Sequence, residues 1–209
     1  DSVLRTIHVD LTPDIPNCGS ARSIPDRIHV AALSLAINGK GKVFLGGDLI
    51  DAGDALRRTS LQPLTLSYKE GLALMNGTAA MTAIAAFTLA GAEKLYNIAC
   101  VNAAFAVEIF GGIDDAFDAD LHLVKPHPGQ IRVAETIKKL YKGTGNITLR
   151  DELHDRIRSQ DNGDTPVFET NINVQDVYSL RCTPQVLAPV RETLDAVKAT
   201  VETEANSSN

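Results

Sequence analysis

From Thr78 to Phe110 apolar residues fall on nearly every side of a helical wheel, with Glu93, Lys94, Asn97, Asn102 and Glu108 as the strong polar interruptions. Such a pattern predicts a helix covered on most faces, about 50 Å long if unbroken. The rest of the chain supplies few helices to cover it, so an oligomer or a further part of the protein is expected to do so. Before it, Ile28 to Asn38 reads as a short apolar helix stopped by "GKGK". "KVFLGGDLI" places β-formers on either side of Gly46-Gly47, the pattern of a tight hairpin and a small surface flap. Asp51 to Thr59 reads as a helical turn or two and "LQPLTL" as an extended connection. The first thirty residues, broken by Pro13, Pro16, Gly19 and Pro25, read as a structured loop.

Beyond the long helix, "GGIDDAFDADLHLVKPHPGQ" reads as loop. Ile131 to Tyr141 then predicts an amphipathic helix with Ile131, Ala134, Ile137, Leu140 and Tyr141 inward. Gly143 to Asn173 is polar and lacks steady periodicity, which predicts a mobile connection. Thr183-Pro184 has the form of a cap followed by a first-turn proline. Leu187, Val190, Leu194, Val197 and Val201 follow three and four apart, an inward stripe for packing helix on helix. The expected fold class is mainly α. Residues 1–69 form a loop-rich region with a short helix and a hairpin, and residues 70–209 a helical bundle segment, both parts of one larger fold.

Composition narrows the partners. A net charge of −6 and a pI near 5.3 argue against a nucleic-acid partner, which needs a basic surface. Three widely spaced cysteines, Cys18, Cys100 and Cys182, form no CxxC pair and suggest neither a disulfide framework nor a zinc site. A reducing compartment, the cytoplasm, is the expectation. Gly71 to Ala92 carries no charge and passes the length test for a membrane span. Its alanine-rich make-up and the Asn-Gly-Thr interruption favour a helix buried among helices instead, so no membrane is expected.

Four blocks occur together: "KEGLALMNGT" (Lys69 to Thr78), "KPHPGQ" (Lys125 to Gln130), "QDVYSLRCTPQVL" (Gln175 to Leu187) and "ETEANSSN" (Glu202 to Asn209). In type and order they resemble the histidine, phenylalanine and tyrosine ammonia-lyases and the related aminomutases. The resemblance covers essentially the whole chain, but only the middle of the family's length. It implies a long-helix bundle of the ammonia-lyase (aspartase-like) type, assembled as a homotetramer or completed by a companion chain. It also implies active sites drawing on several subunits and a small amino-acid-like ligand.

The family signature, Gly-Ser-Val-Gly-Ala-Ser-Gly-Asp-Leu, cyclises at its Ala-Ser-Gly into a methylidene-imidazolone that captures the substrate amine. The matching stretch here is "GSARSIPDR": Gly19, Ser20 and Asp26 hold their places while the triplet is Ser23-Ile24-Pro25. Ring closure needs a backbone N–H on the third residue and a β-hydroxyl on the second that departs as water. Ile24 has no hydroxyl, and Pro25 has no N–H and biases Ile24 toward extended backbone. Residues 1–69 thus hold a former cofactor region, and the electrophile is predicted not to form. Asn17-Cys18-Gly19 imitates the triplet chemically but is displaced from the family position, and Cys18 reads better as a buried or loop cysteine.

The resemblance assigns the remaining candidates. Asn76 matches the family asparagine that contacts the electrophile and the substrate amine; an amide at a helix start that satisfies backbone N–H groups is the plainer reading. Arg181 matches the arginine that holds the substrate carboxylate, for which a planar donor fork is apt; an internal salt bridge is the alternative. Tyr178, on Arg181's face of a helical turn, matches an active-site tyrosine able to relay a proton. Gln175 matches a polar site residue in the same block. His127, between two prolines, reads as a rigid loop residue. His8, His29, His122 and His154 show no ligand spacing, so no metal is expected. His29 replaces the family's proline just after the altered triplet.

Two functions follow. One is a carbon–nitrogen lyase acting on an aromatic or histidine-type amino acid, or its betaine, without a self-formed electrophile; a quaternary amine leaves unaided where an ammonium does not. The chain's six Phe, four Tyr and no Trp offer no evident cation cage. The alternative is a catalytically degenerate member or fragment serving as an oligomeric scaffold or ligand-binding protein.

Overall fold

The computed structural model describes residues 2–16, 26–160 and 173–207. They divide into two compact units, Asp1–Ala85 with Thr203–Asn209, and Ala86–Glu202.

In the first unit the chain opens with α1 (Ser2–His8) and β1 (Leu11–Pro13), so its start is not the loop that the prolines suggested. Pro13 ends the strand and Pro16 follows it, and the helix ends before both. After α2 (Asp26–Ile37), Gly39 turns the chain at φ +75. Strands β2 (Lys42–Leu45) and β3 (Asp48–Asp51) form the expected hairpin, Leu45 paired with Asp48. Gly46 and Gly47 take φ +60 and +93 between them, the left-handed pair a two-residue turn requires.

The hairpin is no surface flap. β1 joins β2 to make a three-stranded antiparallel sheet in the order β1-β2-β3. Its Val43 is fully buried against Leu11, Ala36, and Ala52, Ala55 and Leu56 of α3 (Ala52–Arg58). The glycine pair marked the hairpin, but nothing local to it showed that a further strand and two helices cover one side. The connection after α3 carries no helix or strand, and α4 (Glu70–Met75) follows.

α5 (Ala79–Ile109) is the long helix, 31 residues or about 46 Å. In the second unit it presents two opposite apolar faces. One, with Tyr96, Cys100, Ala104 and Val107, is buried against Ala116, Phe117, Val133, Ile137 and Tyr141. The other carries Phe87, Leu95, Ile98, Phe105 and Ile109, all exposed. These spacings of three, four, seven and eight make one continuous stripe. By length and composition alone Glu70–Ile109 is long and apolar enough to cross a membrane.

The stretch read as loop after α5 contains a 3-10 turn (Asp114–Phe117) and α6 (Ala119–Leu123), the latter capped by the Asp118 carboxylate, which accepts the Asp120 N–H at 2.9 Å. Both are too short for a periodicity to show. α7 (Pro128–Leu140) has His127 at its N-cap position and proline in its first turn. Val133, Ala134 and Ile137 are buried and Tyr141 closes the row, whereas Leu140 is 48% exposed. Position 140 lies within about 20° of position 133 around the helix, so it is its place as the last residue of α7 that leaves it uncovered. Phe117 and Tyr141 meet edge to face at 5.9 Å.

Gly143 to Asn173 is not one mobile connection. Thr148 bridges in parallel to Ile113, and α8 (Arg150–Gln160) follows. Among the described side chains of α8 only Leu153 is buried, and Glu152 and Arg156 pair at 3.9 Å. A helix tied to its unit by so little apolar surface leaves no periodic signature. The short α9 (Tyr178–Arg181) leads into α10 (Thr183–Ala205). Thr183 does not cap α10 as predicted: its hydroxyl donates backward to the carbonyl of Leu180 at 2.8 Å. Along α10 Leu187 and Leu194 pack on the core of the second unit. Val190 and Val197 stay exposed, at 45% and 42%, so the expected stripe is only half inward.

Two contacts in the second unit fix the helix crossings. The Gly129 N–H donates to Glu192 Oε1 at 2.9 Å, satisfying a free donor at the start of α7. A Cβ on Gly129 would stand 2.7 Å from that oxygen and 2.9 Å from the Ala188 carbonyl. The glycine of "KPHPGQ" therefore lets α10 approach the end of α7. Arg191 binds Asp195 at 2.6 Å and Glu93 at 3.5 Å and lies 5.2 Å from the centre of the Tyr96 ring, while Arg132 holds Asp195 at 2.8 Å. One guanidinium thus ties α5 to α10, and Asp195 extends the tie to α7.

Candidate active site

The QDVYSLR segment lies wholly in the second unit. It enters α9 through an irregular strap, residues 173–177, in which Gln175 is exposed. Val177 stands at the N-cap, and its carbonyl accepts the N–H groups of Leu180 at 3.0 Å and Arg181 at 3.1 Å. This single turn brings Tyr178 and Arg181 together, as their three-residue spacing predicted. The Arg181 guanidinium carbon lies 4.3 Å from the centre of the Tyr178 ring, a cation–π contact that orients the planar fork.

The Nε of Arg181 is buried and has no acceptor among the described residues. A buried guanidinium donor without an acceptor is destabilising, and the predicted internal salt bridge does not answer it: no described carboxylate pairs with Arg181. A carboxylate is a group able to accept from Nε and a terminal nitrogen of such a fork at once. Tyr178 is 71% exposed, so its phenol is open to a ligand.

Asn76 belongs to the first unit. It ends α4 in extended conformation (φ −120, ψ 98) and is exposed. It thus closes one helix rather than opening the next, which begins at Ala79. The altered triplet, Ser23, Ile24 and Pro25, lies outside the described residues, as does Cys18. Cys100 is buried, where burial pushes its thiol up and the hydrogen bond with Tyr96 pulls the other way. His127 is exposed at the N-cap position of α7 and its side chain makes no capping hydrogen bond. His29 is half-buried in α2, with a buried Nδ1 that has no partner among the described residues. His122 is buried with Nε2 3.0 Å from the Ala116 carbonyl. Among the described residues no three His, Cys, Asp or Glu side chains are placed to hold a metal ion.

One residue of the segment escaped the sequence reading. Asp176 Oδ2 accepts the backbone N–H of Ile113 at 2.7 Å. The signal was present as an acidic residue inside an otherwise assigned block, but its partner lies 63 positions away and no local pattern points to it.

The helices of the second unit and the arginine–tyrosine turn that opens onto α10 define a class: a segment of a helical bundle that offers a guanidinium whose Nε has no acceptor among the described residues. A family model described as aromatic amino acid lyase matches residues 1–209. The chain belongs to the aromatic amino acid lyase family. It is 37% identical over 99% of its length to histidine ammonia-lyase 2 of Fusobacterium nucleatum subsp. nucleatum. It is 36% identical over 97% of its length to tyrosine 2,3-aminomutase of Chondromyces crocatus. Among solved structures, phenylalanine aminomutase of Pantoea agglomerans superposes with a TM-score of 0.89 at 32% identity, over all of this chain and 40% of that one. The chain spans 37% and 38% of the lengths of the first two relatives.

Proposed function

We propose that the protein is a carbon–nitrogen lyase acting on an aromatic or histidine-type amino acid or its betaine, without a self-formed methylidene-imidazolone. The observation that carries it is the buried Nε of Arg181, held over Tyr178 with no acceptor of its own. A substrate carboxylate fits that donor. Tyr178 lies against the same guanidinium and serves as the proton-handling group, with Gln175 as a further polar contact. The names of the relatives, which act on histidine, tyrosine or phenylalanine, support the substrate class.

The residues at the triplet do not fit the electrophile. Ile24 offers no hydroxyl to eliminate and Pro25 no N–H to close the ring, so no step is assigned to it. An amine that leaves without activation, a quaternary ammonium, is the substrate form most consistent with that chemistry. The exposed stripe of α5 is assigned to assembly, as a homotetramer or with a companion chain, rather than to a membrane. Cysteine usage and the net negative charge support a cytoplasmic protein with no nucleic-acid partner.

The same triplet motivates a second reading, a degenerate member that binds or scaffolds without turnover. Incubating the intact protein with the ammonium and betaine forms of histidine, phenylalanine and tyrosine, and following the unsaturated acid by ultraviolet absorbance, separates them. Release of the acid from a betaine alone supports the first reading. Binding without release from either form supports the second.

A further inference from the structure

We infer that Asp176 is a positioning residue that sets the location of the Tyr178–Arg181 turn by hooking the strap before it onto the backbone after α5. This rests on Arg181 as the carboxylate-holding residue proposed above.

The backbone it grips is fixed on its other sides. Gly111 turns the chain out of α5 at φ +61, and the Gly112 N–H donates to the Val107 carbonyl at 2.8 Å. Thr148 N–H donates to the Gly112 carbonyl at 2.9 Å, Asp114 N–H to the Thr148 carbonyl at 3.1 Å, and the Thr148 hydroxyl to the Gly111 carbonyl at 2.8 Å. In that parallel pairing the Ile113 N–H points away from Thr148. Ile113 is buried, and a buried N–H needs an acceptor; Asp176 Oδ2 is it, at 2.7 Å.

Gly112 makes the approach possible. A Cβ there would stand 2.8 Å from Val107 Cγ1 and 3.2 Å from Asp176 Oδ2. The next residue after the hook, Val177, accepts the N–H groups that start α9. A short covalent path with few free torsions therefore connects the anchored carboxylate to the Arg181 backbone. Gln175 precedes the anchor directly. No described hydrogen bond other than the Asp176 hook ties residues 173–176 to the rest of the unit.

The test uses the intact protein and its D176A, D176N and D176E variants. Affinity for L-histidine, L-phenylalanine and L-tyrosine is measured by calorimetry, and backbone amide exchange is followed at Ile113 and residues 177–182. In D176A we expect faster exchange at those amides and at least a tenfold loss of affinity. Asn keeps an acceptor oxygen at the same reach, so D176N should restore slow exchange and bind within threefold of wild type. Should D176A fail to fold, D176E carries the test: it keeps the charge but adds a methylene, and should show the same exchange and affinity defects in smaller degree. Wild-type exchange and affinity in both D176A and D176E would overturn the proposal, as would equal loss in D176N and D176A. If wild-type protein binds none of the three amino acids, the carboxylate reading of Arg181 fails. The exchange data still decide the hook: protection lost in D176A and regained in D176N upholds it, and unchanged protection overturns it.

Discussion

At the residue scale the molecule turns on groups that lack partners among the described residues or whose space is taken. Replacing Arg181 with Ala removes the donor fork proposed for the substrate carboxylate, and a hydrogen bond to a charged group contributes about 1.5–3 kcal/mol. Affinity for amino-acid ligands should fall roughly 10- to 100-fold, measured by calorimetry; unchanged affinity would remove Arg181 from the site. Gly129→Ala places a methyl carbon against Glu192 and the Ala188 carbonyl. That overpacking should lower stability by about 1–3 kcal/mol, read as a shifted urea midpoint. Tyr96 and Tyr141 are both pushed up to about 12. Burial is the main cause in each, with the Cys100 hydrogen bond adding at Tyr96 and Asp114 and Asp118 at Tyr141. A phenol that titrates higher folded than unfolded gives its full stabilisation below pH 10, and that contribution is lost as pH climbs from 10.0 to about 12. The urea midpoint should fall across that window. Tyr141→Phe should flatten the fall and leave neutral-pH stability unchanged or slightly higher, because the Tyr141 hydroxyl is buried with no partner among the described residues.

At the element scale the long helix was legible because its apolar residues are so many, and the hairpin because Gly46 and Gly47 punctuate it. What escaped were elements whose reason to form lies elsewhere in the chain. β1 exists because β2 pairs with it, α8 hangs on Leu153, and the Asp176 strap depends on an amide 63 positions earlier. The pairing of Tyr178 with Arg181 was readable from spacing, since three residues make nearly one turn. That no described carboxylate pairs with Arg181 was not, because it depends on where the fold places acidic residues distant in the chain. The hairpin offers a direct check: Gly47→Val puts a β-branched residue at φ +93, where the strain is about 1–2 kcal/mol. It should lower the melting temperature of the intact protein by a few degrees, whereas Asp48→Asn on the adjacent exposed position should not.

At the scale of the whole molecule the two apolar faces of α5 have separate consequences. One is spent inside the second unit. The other, from Phe87 to Ile109, is exposed in the chain described here and asks for a covering surface. Light scattering on the intact protein should give a mass above that of one chain, and Leu95→Asp with Phe105→Asp should shift it toward the monomer or into aggregates; a monomeric wild type would remove the assembly proposal. The central claim concerns the chemistry of the family fold rather than its shape: a lyase-family scaffold carries Ile24-Pro25 where the ring-forming serine and glycine stand in the family signature. The most direct measurement is intact and peptide mass spectrometry of the purified protein over the peptide that holds Gly19 to Arg27. The account predicts the unmodified mass of the encoded sequence. A mass lower by two waters, localised to Ser23-Ile24-Pro25 or its neighbours, would contradict it.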